Sequence, residues 1–334
     1  MCPRAPARHV VTDVSRDPSR AEGSDGVALG GAVHEAVLYS TPDELAQRLL
    51  PRLAPALDDG GPVVAVLDGP TRAEVRRALG HDARHVEFPE PAMVHRVPAF
   101  TVAVRWARLS RLARTPHGRA TVVGQHVAGL PGCGETHWAR LDIGLNVALA
   151  GLPITVLCPY LTGGRELARV HSTHPRVTTA QGPAAGDGFR DPAEALAAFP
   201  PPPATDLGRP AATLAFTAPD LGALRRLVAA IAARAGLDEV RGSDLVLAVN
   251  EIGSNSVEHG PGRGLLRLWL SDGDVTAEVT DTGTTVLRFP GMAAPPATGA
   301  RGRGLWLASE LCDVMQVWSD PGGTVVRLRM DTAA

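Results

Sequence analysis

Two kinds of apolar pattern divide the chain. Between residues 31 and 180, short continuous runs of Val, Ile, Leu and Ala recur: "EAVLYS", "PVVAVLD", "RATVVGQH" and "PITVLCPY". A strand apolar on both of its faces is buried on both of them, which is the mark of a parallel sheet. Helical patterns fall between these runs. "TPDELAQRLLPRLAPALDDG" is predicted to start with Thr41 as N-cap and Pro42 in its first turn. "TRAEVRRALG" is predicted to close at Gly80, and "HWARLDIGLNVALAG" supplies a third helix. Strands alternating with helices predict an α/β domain whose sheet is covered on both faces.

Residues 181–212 break the pattern. They are rich in Pro and Ala and include four consecutive prolines, Pro200 to Pro203. Such a stretch favours extended polyproline geometry and reads as a semi-rigid linker. Beyond it, residues 213–331 read as α+β. "APDLGALRRLVAAIAARAGL" and "LVLAVNEIGSNSVEHG" are predicted helices. "GLLRLWLSDGDVTAEVTDTG" is a hairpin turning at "SDGD", and "VMQVWSDPGGTVVRLRM" is a second one turning at Pro321–Gly323. Between them lie a Gly/Pro/Ala-rich loop at 288–302 and the helix "GLWLASELCD". The expected architecture is a mixed, mostly antiparallel sheet with helices on one face. Residues 1–30 are polar, lack an apolar core of the signal-peptide kind, and read as a disordered arm.

Composition narrows the function. A formal net charge of −2 gives no basic footprint for nucleic acid. No apolar run approaches the roughly 18–20 residues that span a bilayer. The four cysteines are scattered and form no CxxC, so the expected setting is a reducing cytoplasm. Every basic residue is arginine; there is no lysine. That excludes a P-loop and a protein-kinase fold of the strand-lysine type, since both place a lysine on the phosphates.

Candidate chemistry begins on the helix at 245–260. Leu245, Val249, Ile252 and Ser256 fall on one stripe suited to packing, while Glu251, Asn255 and His259 fall four apart on its neighbour. An amide oxygen is a hard neutral ligand suited to Mg²⁺, and a carboxylate one turn away can activate a hydroxyl. The plain alternative is a solvated helix face. Two further segments add weight. Asp281 and Gly283 close a strand, where a carboxylate can accept an exocyclic amino group. Gly299, Gly302 and Gly304 flank Arg301 and Arg303 directly before a helix. Glycine-rich backbone at a helix N-terminus offers free N–H groups to phosphate.

In that order, the three segments resemble the N, G1 and G2 boxes of the GHKL (Bergerat-fold) ATPases. "NEIGSNSVEHG" and "GRGLWLASELCD" are most similar to the bacterial anti-sigma factor serine kinases. The resemblance covers 213–331 and implies an ATP and Mg²⁺ site. Asn255 would bind Mg²⁺, Glu251 would be the general base, and Asp281 would bind adenine with Gly283 beneath it. Gly302 and Gly304 would form the phosphate lid, with Arg303 and Leu305 beside them and His259 and Gly260 closing the first box. Thr285 stands where the family has a second glycine.

The first domain resembles the MEDS sensory domain over 34–178, through "HEAVLY", "GGPVVAVLDGP", "LDIGLNVALAGLPITVLCPY" and "HSTHP". This implies a RecA-like fold and a sensory role. Gly124, Gln125 and His126 replace the family's usual Gly-Glu-Pro, and Leu161 replaces a common Asp. His126, Cys133, His137, His171 and His174 match no standard metal spacing and read as loop and core residues.

Together these resemblances imply a cytoplasmic regulator. An ATP-dependent serine/threonine kinase domain would act on a STAS-type anti-sigma factor antagonist, hold a sigma factor, or both. The sensory domain would control it, and a homodimer would form through the ATPase domain. A non-catalytic partner-switching module is the alternative. A histidine kinase is a second, although residues 183–212 hold no His and could not form a phosphoacceptor helix through their prolines.

Overall fold

The computed structural model describes residues 31–113, 119–283, 287–295 and 303–332. The first domain contains β1 (Val33–Tyr39), α1 (Pro42–Asp58), β2 (Val63–Val66), α2 (Gly69–Leu79), β3 (Val86–Glu87), α3 (Pro91–His95) and α4 (Ala99–Leu112). Then follow β4 (Ala120–Gly124), α5 (Glu135–Ala148), β5 (Ile154–Leu161), α6 (Leu167–Thr173), β6 (Arg176–Thr179), β7 (Gly182–Ala185) and α7 (Pro192–Leu196). The sheet runs β3-β2-β4-β5-β1-β6-β7. All its ladders are parallel except β6–β7.

Alternation along β1 shows why the strands are apolar throughout. Val37 and Tyr39 pack with Leu45, Leu49 and Leu53 of α1 on one face. Ala36 and Leu38 pack with Val102 and Trp106 of α4 and Leu141 and Leu145 of α5 on the other. Each fully buried Leu or Ile contributes roughly 1.5–3 kcal/mol. Local signals agree with the pattern. The Thr41 hydroxyl accepts from Glu44 N at 3.2 Å, capping α1, and Gly80 ends α2 at φ 57°.

Residues 181–212, expected as a linker, begin inside this domain. β7 extends the sheet antiparallel to β6, and α7 buries Ala195 and Leu196 beside Ile143 of α5.

The second domain contains β8 (Ala212–Thr217), α8 (Leu221–Ala235), α9 (Glu239–Glu258), β9 (Arg263–Ser271), β10 (Asp274–Asp281), α10 (Arg303–Leu311), β11 (Val314–Asp320) and β12 (Gly323–Asp331). Its sheet runs β11-β12-β10-β9-β8. Every ladder is antiparallel, so the expectation of a mixed sheet is corrected: β8 enters beside β9 in the reverse direction. Leu224, Val228 and Ile231 of α8 and Leu245, Val249 and Ile252 of α9 cover one face of this sheet. The chain is therefore a parallel α/β domain followed by an α+β domain whose antiparallel sheet carries helices on one face.

Candidate functional site

The polar stripe of α9 faces the start of α10. A Cβ built on Gly304 would lie 3.0 Å from Asn255 Nδ2 and 3.1 Å from Glu251 Oε2. The two side chains thus meet the first turn of α10, and any side chain at 304 would press on both of them. Glu251 and Asn255 are half-buried, whereas Gly304 is buried. Packing of the adjacent stripe sets this register, because Leu245, Val249, Ile252 and Ser256 are all sealed against the sheet.

Asp281 closes β10 beside α9. Ser256 Oγ donates to its Oδ2 at 2.5 Å, and the Gly283 N–H donates to its Oδ1 at 2.7 Å. The carboxylate is locked in one orientation, yet two oxygens offer about four acceptor positions, so it can take further donors. The Thr324 hydroxyl donates to the Gly283 carbonyl at 3.0 Å and fixes the turn from β12. Next to Asp281, the Thr280 hydroxyl is buried with no partner. Three separated segments thus converge: α9, the β10–Gly283 turn and the N-terminus of α10.

Other predicted residues fall differently. His259 is the C-cap of α9 and is exposed; its backbone N–H and that of Gly260 both donate to the Asn255 carbonyl, at 2.9 and 3.1 Å. Arg303 opens α10 and is exposed, and Leu305 is half-buried against the sandwich core. Thr285, Gly299, Arg301 and Gly302 lie outside the described residues. Ser256 and Thr324 were not singled out from sequence. Ser256 sits on the packing stripe, and its hydroxyl among apolar neighbours was the one available signal.

The histidines and cysteine of the first domain that were considered for metal do not assemble as one set. His171 faces Asp187 at 3.4 Å, the Cys133 thiol donates to the His95 carbonyl at 3.3 Å, and His126 pairs with Asp142 at 3.0 Å. The described cysteines, Cys133, Cys158 and Cys312, are free and buried. Burial raises all three thiols, Cys312 to about 12.

Comparison with known families agrees with this division. Residues 214–330 match the histidine kinase-like ATPase domain, and residues 33–175 match MEDS, the methanogen/methylotroph DcmR sensory domain. The chain joins a MEDS domain to a histidine kinase-like ATPase domain. No curated protein matches it. Among solved structures it is similar to the RsbU and RsbW domains of Rv1364c from Mycobacterium tuberculosis. That likeness has 24% identity, covers 36% of this chain and 32% of that one, and has a TM-score of 0.28. The chain thus spans about a third of that relative's length. Among the described residues, no helix is long and apolar enough to cross a membrane.

The MEDS and ATPase domains meet on α10. Arg105 and Arg108 of MEDS helix α4 donate to the Asp313 and Ser309 carbonyls at 3.0 and 2.7 Å, and Arg111 pairs with Glu310. Three arginines spaced by three residues thus hold the carbonyl end of α10, where cations are favoured. The ATPase segment 287–295 also reaches across. Phe289 lies 5.9 Å from Phe100 between ring centres, and Met292 is buried in the MEDS core. Ser309 Oγ donates to the Gly291 carbonyl at 2.7 Å, tying that segment to α10. A cavity of about 910 Å³ opens at this junction, bordered by Arg105, Arg140, Pro201, Cys312 and Val314. It lies at the opposite end of α10 from Gly304.

Proposed function

We propose that the ATPase domain binds Mg-ATP between α9, the Asp281 turn and the start of α10, and transfers phosphate to a serine or threonine of an anti-sigma factor antagonist. The approach of Gly304 to Asn255 and Glu251 carries this reading, because it joins a metal-competent amide, a carboxylate base and a phosphate-competent helix N-terminus. When bound, Mg-ATP supplies the transferable γ-phosphoryl group. Asn255 would hold the Mg²⁺, and Asp281, fixed by Ser256 and Gly283, would accept the adenine amino group. Gly302 and Gly304 would present backbone N–H groups to phosphate, with Arg303 and Leu305 flanking them. His259 and Gly260 would close the helix end of the site. Glu251 would take the proton of the incoming hydroxyl. Positioning and charge stabilisation carry the rest of the catalysis.

The MEDS domain would be the regulatory input. Its route is structural: α4 grips one end of the helix whose other end meets Asn255, and the MEDS core holds the 287–295 segment.

Calorimetry with Mg-ATP and radiolabel transfer to a STAS-type antagonist test the reading. Asn255→Ala should abolish Mg-dependent binding, and unchanged affinity would contradict the assignment. Glu251→Ala should keep binding and lose transfer; retained transfer would remove Glu251 as base. A second reading, partner switching without catalysis, is favoured by Thr285 standing at the family's second glycine. It predicts nucleotide binding and stable capture of an antagonist or sigma factor with no label transferred.

A further inference from the structure

A second constellation lies wholly inside the MEDS domain and takes no part in the nucleotide site. His34 and Cys158 stand on the neighbouring strands β1 and β5, where Ala36 pairs with Cys158 and His34 with Val156. Asp142 lies on α5, and His174 directly follows α6. All four side chains are buried, with at most 5% exposed. One donor atom from each lies within 4.8 Å of all the others.

Hydrogen bonds fix which nitrogen of each imidazole is free. Asn146 Nδ2 donates to the Asp142 and Thr173 carbonyls at 3.1 and 2.8 Å, so its Oδ1 is the acceptor facing His34. His34 Nδ1, 2.9 Å from that oxygen, must therefore carry the proton. His174 Nδ1 sits 3.0 Å from the Val170 carbonyl, which can only accept, so it too is protonated. Both rings are thereby held in the tautomer that leaves Nε2 with a bare lone pair. His174 Nε2 is fully buried and has no hydrogen-bond partner. A stranded buried acceptor of this kind costs about 1–3 kcal/mol unless something fills the place it points to.

The spacing suits an ion. Cys158 Sγ lies 3.6 Å from His34 Nε2, and His174 Nε2 lies 3.9 Å from Asp142 Oδ1. Zinc bonds of about 2.0–2.3 Å in tetrahedral geometry separate ligand atoms by roughly 3.3–3.8 Å. An outer layer is present as well. Asn146 and the Val170 carbonyl orient the imidazoles, while Tyr160 at 2.7 Å, His126 at 3.0 Å and Arg169 orient the Asp142 carboxylate. Partners of this sort usually surround metal ligands.

We infer that His34, Asp142, Cys158 and His174 form a closed four-ligand site for a divalent ion of the zinc type in the MEDS domain. Two imidazoles, one thiolate and one carboxylate are a borderline-soft set that suits zinc over magnesium or calcium. Binding replaces the Cys158 thiol proton, which leaves to solvent, with a metal–sulfur bond. The ion would clip β1, β5, α5 and α6 together from inside. This inference is independent of the nucleotide reading.

The full chain, purified from zinc-supplemented culture and dialysed against metal-free buffer, should release about one zinc per chain on denaturation, read with a chelating dye. Exchange into cobalt(II) should give a near-ultraviolet thiolate-to-cobalt charge-transfer band and the intense visible bands of a tetrahedral site. Cys158→Ser should abolish the charge-transfer band, and His174→Gln should lower metal content at least tenfold. Cys133→Ser, a buried thiol outside the cluster, should change neither. A folded wild-type chain that holds no zinc and shows no thiolate–cobalt band after incubation with each ion would overturn the proposal. So would a band that survives Cys158→Ser. The wild-type cobalt spectrum decides the matter even if a variant fails to fold.

Discussion

Ser256 shows how one hydroxyl can act on two scales. From sequence it belongs to the apolar stripe of α9, and it is indeed buried there. Its Oγ nevertheless donates to Asp281 and helps fix the orientation of that carboxylate. A hydrogen bond to a charged group is worth about 1.5–3 kcal/mol. Ser256→Ala should therefore weaken Mg-ATP binding about tenfold by calorimetry, while Ser256→Thr, which keeps the hydroxyl, should recover most of it. Sequence reasoning could find Glu251, Asn255 and Asp281 because their side chains are costly to bury without partners. It could not find Ser256 or Thr324, because Ser and Thr are common on helices and strands and their partners are distant in sequence. The same limit hid the buried set of His34, Asp142, Cys158 and His174, whose members come from β1, α5, β5 and the end of α6. Another residue-scale consequence concerns pH. His95 is buried with neither ring nitrogen bonded, between the rings of Trp106 and Trp138, with His137 and His126 as its titratable neighbours. Burial lowers it from 6.5 to about 3, with the two histidines adding to the effect. The unfolded chain thus takes up a proton below pH 6.5 and the folded chain only near pH 3, so stability falls as pH drops through that window. At pH 5 this one group costs about 2 kcal/mol. Thermal melts should show a lower midpoint at pH 5 than at 7.5, and His95→Phe should narrow the difference, leaving the share of the other buried histidines, such as His137, which burial lowers to about 4.

At the scale of elements, the strands with continuous apolar runs and the helices with clear caps were legible, since their local signals and their burial agree. Those missed had conflicting signals. α4 mixes β-branched Thr101, Val102 and Val104 with arginines, and its apolar face packs on the sheet while its arginines reach the other domain. β8 is an edge strand with a single fully buried side chain, Phe216, so its alternation is weak. The loop between the second and third motif segments was read only as rich in Gly, Pro and Ala. In the structure its first part is docked. Gly291 has φ 70°, and a Cβ there would lie 2.5 Å from Met315 Cε and 2.6 Å from the Leu305 carbonyl. The methionine can move; the carbonyl of α10 cannot without bending the helix. Gly291→Ala combines a left-handed backbone with that clash and should cost about 1–3 kcal/mol. Limited proteolysis should then cut within 287–295 faster than in the parent chain. An unchanged cleavage rate would mean that this docking is not tight.

For the whole molecule, the decisive contact is between α4 and the far end of α10. Glu310 sits within reach of two arginines, paired with Arg111 and 3.8 Å from Arg108. Its charge is partly shielded from water, with 17% of the side chain exposed, so the pair is worth more than an exposed surface bridge. Arg108 also serves the Ser309 carbonyl near the end of α10. If α10 conveys the MEDS state to Asn255, breaking this grip should change regulation without touching the nucleotide site, which lies at the helix's other end. Glu310→Arg sets three cations against one another at the joint. Hydrogen exchange along α10 should rise and the radius of gyration in solution should increase, while Mg-ATP affinity stays within about twofold of the parent. Phosphotransfer to the antagonist should shift several-fold. Exchanging the charges, Arg111→Glu together with Glu310→Arg, should restore both the compact form and the parent transfer rate, because the attraction depends on opposite sign and not on which helix carries it. Failure of the exchange to restore transfer, with compaction regained, would separate domain contact from control and shift attention to the 287–295 segment, whose Met292 is buried in the MEDS core.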